Sequence, residues 1–249
     1  MPYVATLAAA VLLAVTSLAG LIVEDVYARE TAAWAEQAIV QDWFDLLIAA
    51  PLLAASAYFA ALGSRRARLV AAGLLLFAIY TMAIYCFSIH LNALFVLYCA
   101  TFGGALFAAI GVAADLLLEG APRSIRHERL AGGFLIAVGL AFAGMWLAQL
   151  VPAMVTGRIP QSLAEANLPT NPVHVLDLSF ILPLHVAAGI AAWRGTRLGA
   201  VLAPIVLAFG ALMAASIACM APLPVAIAMA IVAAVSTWLL VAMLRRPVR

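Results

Sequence analysis

Eight apolar stretches, each long enough to cross a lipid bilayer, dominate this sequence. A helix needs about 20 mainly apolar residues to span a hydrocarbon core of roughly 30 Å. The alternation of apolar and polar residues that is typical of membrane β-barrel strands does not occur. The sequence therefore predicts an all-α polytopic transmembrane bundle with no room for a soluble domain. The predicted spans are 3–23, 43–62, 69–90, 93–117, 130–154, 173–193, 200–220 and 222–244.

The amino-acid composition favours the same class. Hydrophobic residues make up 67% of the 249 residues and charged residues only 10%, whereas soluble domains have roughly 45–50% and 25%. No sequence repeat of 20 to 50 residues is evident, and no low-complexity linker divides the chain. We therefore expect residues 1–249 to form one transmembrane domain. Its expected partner is the lipid bilayer; nucleic acid is not expected, and the oligomeric state is left open.

The distribution of arginine predicts the orientation of the bundle. Cytoplasmic loops of membrane proteins carry an excess of positive charge. Only Arg29 and Arg158 follow odd-numbered spans, so both termini are expected in the cytoplasm. The first span also has features of a cleavable signal sequence, with "VYA" before Arg29, but its long apolar run favours a retained span. The other basic residues are Arg65, Arg66, Arg68, Arg123, Arg126, Arg129, Arg194, Arg197, Arg245, Arg246 and Arg249.

Several activities are disfavoured by residues that the sequence lacks. There is no lysine, so neither retinal nor pyridoxal phosphate can be held as a Schiff base. The motifs of phosphate-binding loops, zinc proteases and serine hydrolases do not occur. The cofactor is therefore unassigned, with a divalent metal as one candidate. Of the three cysteines, Cys86 and Cys99 flank one outer turn and leave a disulfide open, although packing as small apolar residues is favoured for all three, Cys219 included.

Span six carries the most informative polar residues, in "LPTNPVHVLDLSFILPLH". Helical spacing places His174, Asp177 and His185 on one face, with His185 roughly 16 Å deeper than His174. Pro183 deprives the carbonyl of Ser179 of its helical partner, which predicts a kink. Ionisable residues at membrane depth usually face a bundle interior or a wet cavity. His174 and Asp177 are therefore the central pair of a predicted site.

Other polar residues are expected at the same outer level. Asp42 and Asp45 share a face at the predicted start of span two, and further polar residues lie near the ends of spans three and six. These positions predict an outward-facing polar pocket between spans two, three and six, covered by residues 24–42. Such a pocket would bind a small ligand, ion or lipid headgroup, for uptake or sensing. Its predicted lining is His174, Asp177, Asp42, Asn171, Tyr85, Asn92 and His185.

Two alternative functions stay open. In the first, Asp42, Asp45, His174 and Asp177 bind a divalent metal that activates water for an intramembrane hydrolase or transferase at the outer leaflet. In the second, the polar residues cap helices or join them by hydrogen bonds, and the protein is a structural or accessory membrane protein. The inner halves of the spans carry few polar residues, which disfavours a continuous transport path.

Three sequence segments carry a resemblance to other proteins. "QDWFDLL", "HLNALFVLYCA" and "LPTNPVHVLDL", in this order and with these span lengths, resemble a group of uncharacterised bacterial multi-pass membrane proteins. The resemblance covers about residues 40 to 220, and "NPVHVLDL" is its most specific part. It implies a bacterial cytoplasmic membrane as the location, and it supplies no activity.

Overall fold

A computed structural model describes residues 2–119 and 125–245. Within these ranges, eight helices are long and apolar enough to cross a membrane, which confirms the predicted all-α polytopic bundle. Three of the arginines that predict the orientation, Arg123, Arg246 and Arg249, lie outside the described residues. The helices, called spans one to eight, are Pro2–Ile22, Ala32–Ala61, Arg65–Ser88, Phe95–Leu118, Ile125–Thr156, Pro172–Trp193, Arg197–Met220 and Leu223–Leu244, and a short helix, Gln161–Ala166, precedes span six.

The connections alternate between the two ends of the bundle. Those that follow odd-numbered spans have few arginines, and the prediction from arginine places them outside the cell. We call this end the outer end and the opposite one the inner end. The last outer connection consists of Ala221 and Pro222 alone, so spans seven and eight form the tight hairpin that the proline predicts.

Span two begins earlier than the sequence predicts. Its helix starts at Ala32, after the turns of residues 23–31, so most of the segment expected to cover the pocket belongs to the span itself. The segment "AAWAEQAIVQ" contains good helix formers and neither glycine nor proline. Its Glu36 and Gln41 lower the hydropathy that set the predicted boundary. Asp42 therefore lies about three turns inside the helix and not at its start.

Spans two and six each contain a π-helical turn, at Asp45–Ala49 and Asp177–Ile181. Each turn begins at an aspartate and precedes a proline, Pro51 or Pro183. A proline ring collides with the carbonyl four residues earlier and supplies no N–H, and the wider π turn accommodates both effects. The break predicted at Pro183 is thus present, and span two has a second break that the sequence analysis missed.

The two breaks belong to a longer correspondence between the halves of the chain. The inner turns after spans two and six use Gly63 and Gly195, with φ of 83° and 63°. Ser64 and Thr196 then cap spans three and seven through side-chain oxygens. The sequence analysis missed this repeat because its unit exceeds 50 residues and its shared residues are sparse among apolar ones. The matching pairs, each 132 residues apart, include Asp45 and Asp177, Pro51 and Pro183, Gly63 and Gly195, Arg65 and Arg197, and Phe77 and Phe209.

Helix packing follows the same plan in both halves. In spans one to four, span one packs on spans two and four, and span three packs on the same two; spans five to eight repeat this arrangement. Spans three and seven run in parallel and join the halves. Their backbones are so close that a Cβ atom on Gly73 would lie 2.5 Å from the carbonyl oxygen of Ile205. The fold is therefore a pair of parallel four-span units packed through their third helices.

Candidate functional site

The first polar group surrounds Asp42 in the outer part of span two. The side chain of Asp42 is fully buried. Its Oδ2 accepts a hydrogen bond from the hydroxyl of Tyr27 at 2.5 Å, and its Oδ1 accepts one from the hydroxyl of Tyr85 at 3.1 Å. Gly20 of span one makes room for this contact, because a Cβ atom there would collide with the carboxylate. Tyr85 is thus a direct neighbour of Asp42, as the sequence analysis grouped them.

Tyr27 lies in the connection between spans one and two. Burial, followed by the negative charge of Asp42, raises the pKa of the Tyr27 hydroxyl above its usual value. The hydroxyl therefore keeps its proton and acts as a donor toward the carboxylate. Sequence reasoning did not select this tyrosine, because an aromatic residue in an outer connection is typical of any membrane interface.

Asp45, one helical turn after Asp42, has a less complete set of partners. It is also fully buried. Its Oδ1 accepts a hydrogen bond from Nε2 of Gln41 at 2.7 Å, whereas its Oδ2 has no hydrogen-bond partner. Gln41 in turn accepts a hydrogen bond at 2.7 Å from the hydroxyl of Ser216 in span seven. One buried carboxylate oxygen in this group is therefore left without a donor.

The second polar group surrounds Asp177 in span six. Its Oδ1 accepts a hydrogen bond from the hydroxyl of Tyr80 in span three at 3.1 Å, and its Oδ2 accepts one from Nε1 of Trp146 in span five at 2.8 Å. The ring of His174 packs against Trp146, with the ring centroids 4.5 Å apart. His174 and Asp177 thus share one face and one neighbour. The two residues that the sequence predicts as a central pair are joined through their common contact with Trp146.

His185 lies deeper in span six and belongs to neither group. Its Nδ1 is 2.8 Å from the carbonyl oxygen of Ile181, and because a carbonyl only accepts, Nδ1 carries the hydrogen. The opposite ring nitrogen faces Gly210 in span seven, and the ring packs edge-on against Phe209. Phe209 also packs against Tyr80, so the rings of Phe209 and Tyr80 lie between His185 and Asp177. The predicted floor of a pocket is instead a contact between helices.

The two predicted asparagines stabilise helix starts and loops. Asn171 accepts a hydrogen bond from the backbone N–H of Val173 at 2.9 Å and so caps span six. Asn92 accepts one from the backbone N–H of Leu94 and donates one to the carbonyl of Val26, which joins two outer connections. Asn92 also donates to the hydroxyl of Tyr98, whose ring packs against Tyr85, so it adjoins the first polar group.

The two groups are linked across the boundary between the halves. Gln41 of the first half bonds to Ser216 of the second, and Tyr80 of the first half bonds to Asp177 of the second. In the repeat these are equivalent contacts, one between spans two and seven and the other between spans three and six. Polar residues therefore hold the outer ends of the halves together on both sides of the central helix pair.

An outward-open pocket is not part of this arrangement. Asp42, Asp45, His174, Asp177 and His185 are all buried. A cleft of about 200 Å³ lies at the inner end, within the first half, where Arg68 and Asp115 supply its charged lining. The acids and histidines predicted to line the pocket are thus enclosed between helices.

The metal site of the first alternative is not assembled in the structure. Asp42 and Asp45 lie in the first group, and His174 and Asp177 lie in the second. Within residues 2–119 and 125–245, no three His, Cys, Asp or Glu side chains are placed to hold a metal ion together. The donor set therefore gives no support to a metal-dependent hydrolase or transferase.

The remaining partners were not predicted from the sequence. Tyr80, Trp146 and Ser216 lie inside strongly apolar spans, and only the repeated aspartate–proline spacing could have drawn attention to their helices. No family model, curated protein or solved structure matches this chain. The geometry of the two polar groups and the repeat are thus the basis for assigning a function.

Proposed function

We propose that the protein is a membrane transporter that takes up a small solute between its two four-span halves. The observation that carries this proposal is the pair of broken helices at corresponding positions, Asp45–Ala49 and Asp177–Ile181. In secondary transporters built from repeats, interrupted helices in corresponding positions border the substrate site. The π-helical turns themselves are also frequent at functional sites. An aspartate begins each break, which places polar chemistry at both.

The contacts between the halves favour opening at the outer end. At the outer end, the side-chain hydrogen bonds between the halves are Gln41–Ser216 and Tyr80–Asp177, and the ring of Tyr80 also packs against Phe209. A side-chain hydrogen bond between membrane helices contributes only about 0.6 to 2 kcal/mol. Nearer the inner end, the backbones of spans three and seven are in close contact at Gly73. Separation of the outer ends about this contact would expose both polar groups to the outer solution.

The charge of the polar layer favours a solute with positive charge. Asp42, Asp45 and Asp177 are buried, and in the described parts of the chain no basic side chain forms an ion pair with them. Asp177 lies beside the aromatic rings of Trp146 and His174. A carboxylate beside aromatic faces is suited to bind an organic amine through charge and cation–π attraction. A small cationic amine is therefore the proposed solute class.

Cysteine accessibility tests whether the halves separate. Ser216 lies between the halves and Thr101 lies inside the first half, and both are buried. Each is replaced by cysteine in a chain whose three native cysteines are serines, and intact cells are treated with a thiol reagent that does not cross membranes. We expect Ser216→Cys to be labelled and Thr101→Cys to stay unlabelled, because each half moves as one body.

Two results would contradict the proposal. If Ser216→Cys is as unreactive as Thr101→Cys over long incubation, while both variants are labelled fully after denaturation, the halves stay closed and an accessory role is favoured. If both positions react equally, the bundle opens within the first half as well, and the movement is not one of two rigid halves.

A further inference from the structure

Asp45 is a buried acid with one carboxylate oxygen that has no hydrogen-bond partner among the described residues. Asp45 begins the break in span two. It precedes Gly63 of the inner turn by eighteen residues, or roughly 27 Å along a helix axis, so it lies toward the outer end. It is fully buried, and its Oδ2 lies against no hydrogen-bond donor. An ionised carboxylate with an unpartnered oxygen is costly at membrane depth. A proton on this oxygen would remove the charge that creates the cost.

Within the described residues, the groups that face Asp45 supply no positive charge. The neighbouring acid is Asp42, three residues earlier on the same helix, and such residues are about 5–6 Å apart at their Cβ atoms. Tyr85 of span three also faces both acids. The other groups nearby are Gln41 on its own helix and Ser216 from span seven. The hydroxyls of Tyr27 and Tyr98 lie toward Asp42, and Glu30 beyond them is paired with His90. The groups that face Asp45 itself are neutral or acidic, so two negative charges here would repel each other without compensation.

The hydrogen bonds distinguish the two acids. Oδ2 of Asp42 accepts a hydrogen bond from Tyr27, and Oδ1 shares the Tyr85 hydroxyl with the carbonyl of Ala38, so both oxygens face a donor, as suits an ionised carboxylate. Asp45 accepts one bond only and keeps one oxygen free, an arrangement that suits a protonated acid. A bound hard cation such as calcium or magnesium would need about six oxygen ligands. The geometry therefore favours a proton at Asp45 over a metal ion.

We propose that Asp45 is a proton-binding site, and that the proton it holds in the closed bundle is exchanged with the outer solution when spans two and seven separate. This role in exchange rests on the proposed function, because the separation of the halves is what admits water. When the Gln41–Ser216 contact breaks, Asp45 becomes accessible and releases its proton. The halves close again at low cost only after Asp45 has regained a proton, so closure and proton uptake are coupled.

Infrared spectroscopy of the full-length protein in lipid nanodiscs tests the proton directly. A protonated carboxyl group in apolar surroundings gives a carbonyl band that is separate from the amide bands. We expect this band in the wild type at mildly acidic pH, and we expect it to shift when aspartate is labelled with ¹³C. Asp45→Asn should remove the band, Asp45→Glu should move it, and Asp177→Asn should keep it. Size-exclusion chromatography and thermal unfolding confirm that each variant is folded.

Several outcomes would overturn the proposal. If the folded Asp45→Asn variant keeps the whole band, the proton is held elsewhere. If the wild type has no ¹³C-sensitive band at any pH in the range where it stays folded, Asp45 is ionised. If sodium chloride removes the band at constant pH while choline chloride does not, the site binds sodium in place of a proton. The measurement needs no solute, so it can fail while Ser216→Cys is still labelled, and the reverse also holds.

Discussion

Spans two and six share a backbone and differ in the side chains attached to it. Both have an aspartate at the start of a π turn and a proline six residues later. In span six the aspartate has two donors, Tyr80 and Trp146, whereas Asp45 in span two has only Gln41. The two aspartates thus have similar backbone positions and different hydrogen-bond partners. We propose that their roles differ accordingly: Asp177 in the second half binds the solute, and Asp45 in the first half binds the proton.

The largest expected effect concerns the contact that joins the halves. Gly73→Ala places a Cβ atom 2.5 Å from the backbone oxygen of Ile205 and 2.6 Å from the Cβ of Ala208. We expect a loss of about 3 kcal/mol in the free energy of unfolding, because the central helices must move apart. Chemical denaturation of the purified protein measures it. Gly103→Ala in span four is the control, since no atom lies within 4 Å of its added carbon; equal effects would contradict the close packing.

The second prediction compares the two aspartates by one substitution. Asp177→Leu leaves the hydroxyl of Tyr80 and the indole N–H of Trp146 without an acceptor. We expect a loss of about 2 kcal/mol in unfolding free energy. Asp45→Leu leaves only the Gln41 amide unpaired and removes a poorly satisfied acid, so we expect a loss of about 1 kcal/mol or less. Both values come from denaturation in the same detergent.

The opposite order of the two losses in unfolding free energy would contradict the proposed roles of the two aspartates. If Asp45→Leu were the more destabilising of the two, Asp45 would have a stabilising partner beyond Gln41. The proposed binding of a solute by Asp177 is tested separately, by the thermal shift that small amines cause. We expect such amines to stabilise the wild type and not Asp177→Asn, with exposed Asp25→Asn as the control.

The π turns also explain which parts of the site could be predicted from the sequence. Span length and hydropathy predict the bundle well, because each span must bury its own backbone hydrogen bonds. The helical-face argument succeeds for His174, which precedes the π turn, and for Asp177, which begins it, because both contact Trp146. It fails for His185, because the extra residue of the turn rotates everything after it by about 100°. Partners on other helices, such as Tyr80, depend on packing that a single periodicity does not specify.

The third prediction tests whether the two breaks are equivalent. Pro51→Ala and Pro183→Ala each restore a backbone N–H at the end of a π turn. We expect each to stabilise the protein by about 1 kcal/mol, the contribution of one added hydrogen bond. Amide hydrogen exchange should become slower at residues 45–50 and 177–182. Slower exchange in only one of the two segments would show that the breaks differ in their backbone as well as in their side chains.

The smallest expected effect concerns a feature of the first half alone. Cys86 and Cys99 are neighbours on spans three and four, so a mild oxidant should join the two spans by a disulfide. The position equivalent to Cys86 in the second half is Ala218, and Cys219 is exposed and should remain alkylatable. Mass spectrometry after alkylation distinguishes the linked pair from the free thiol. We expect the link to raise the unfolding temperature only slightly, since it closes a short loop between the two spans.

This disulfide also tests how the halves move. In Ser216→Cys with Cys219→Ser, the native pair can be oxidised before the impermeant reagent is added. If the first half moves as a rigid body, a link between spans three and four leaves the labelling rate of residue 216 unchanged. A tenfold decrease would mean that access to Ser216 requires spans three and four to separate. The moving unit would then be smaller than a half, and Asp45 would have to exchange its proton through the first half itself.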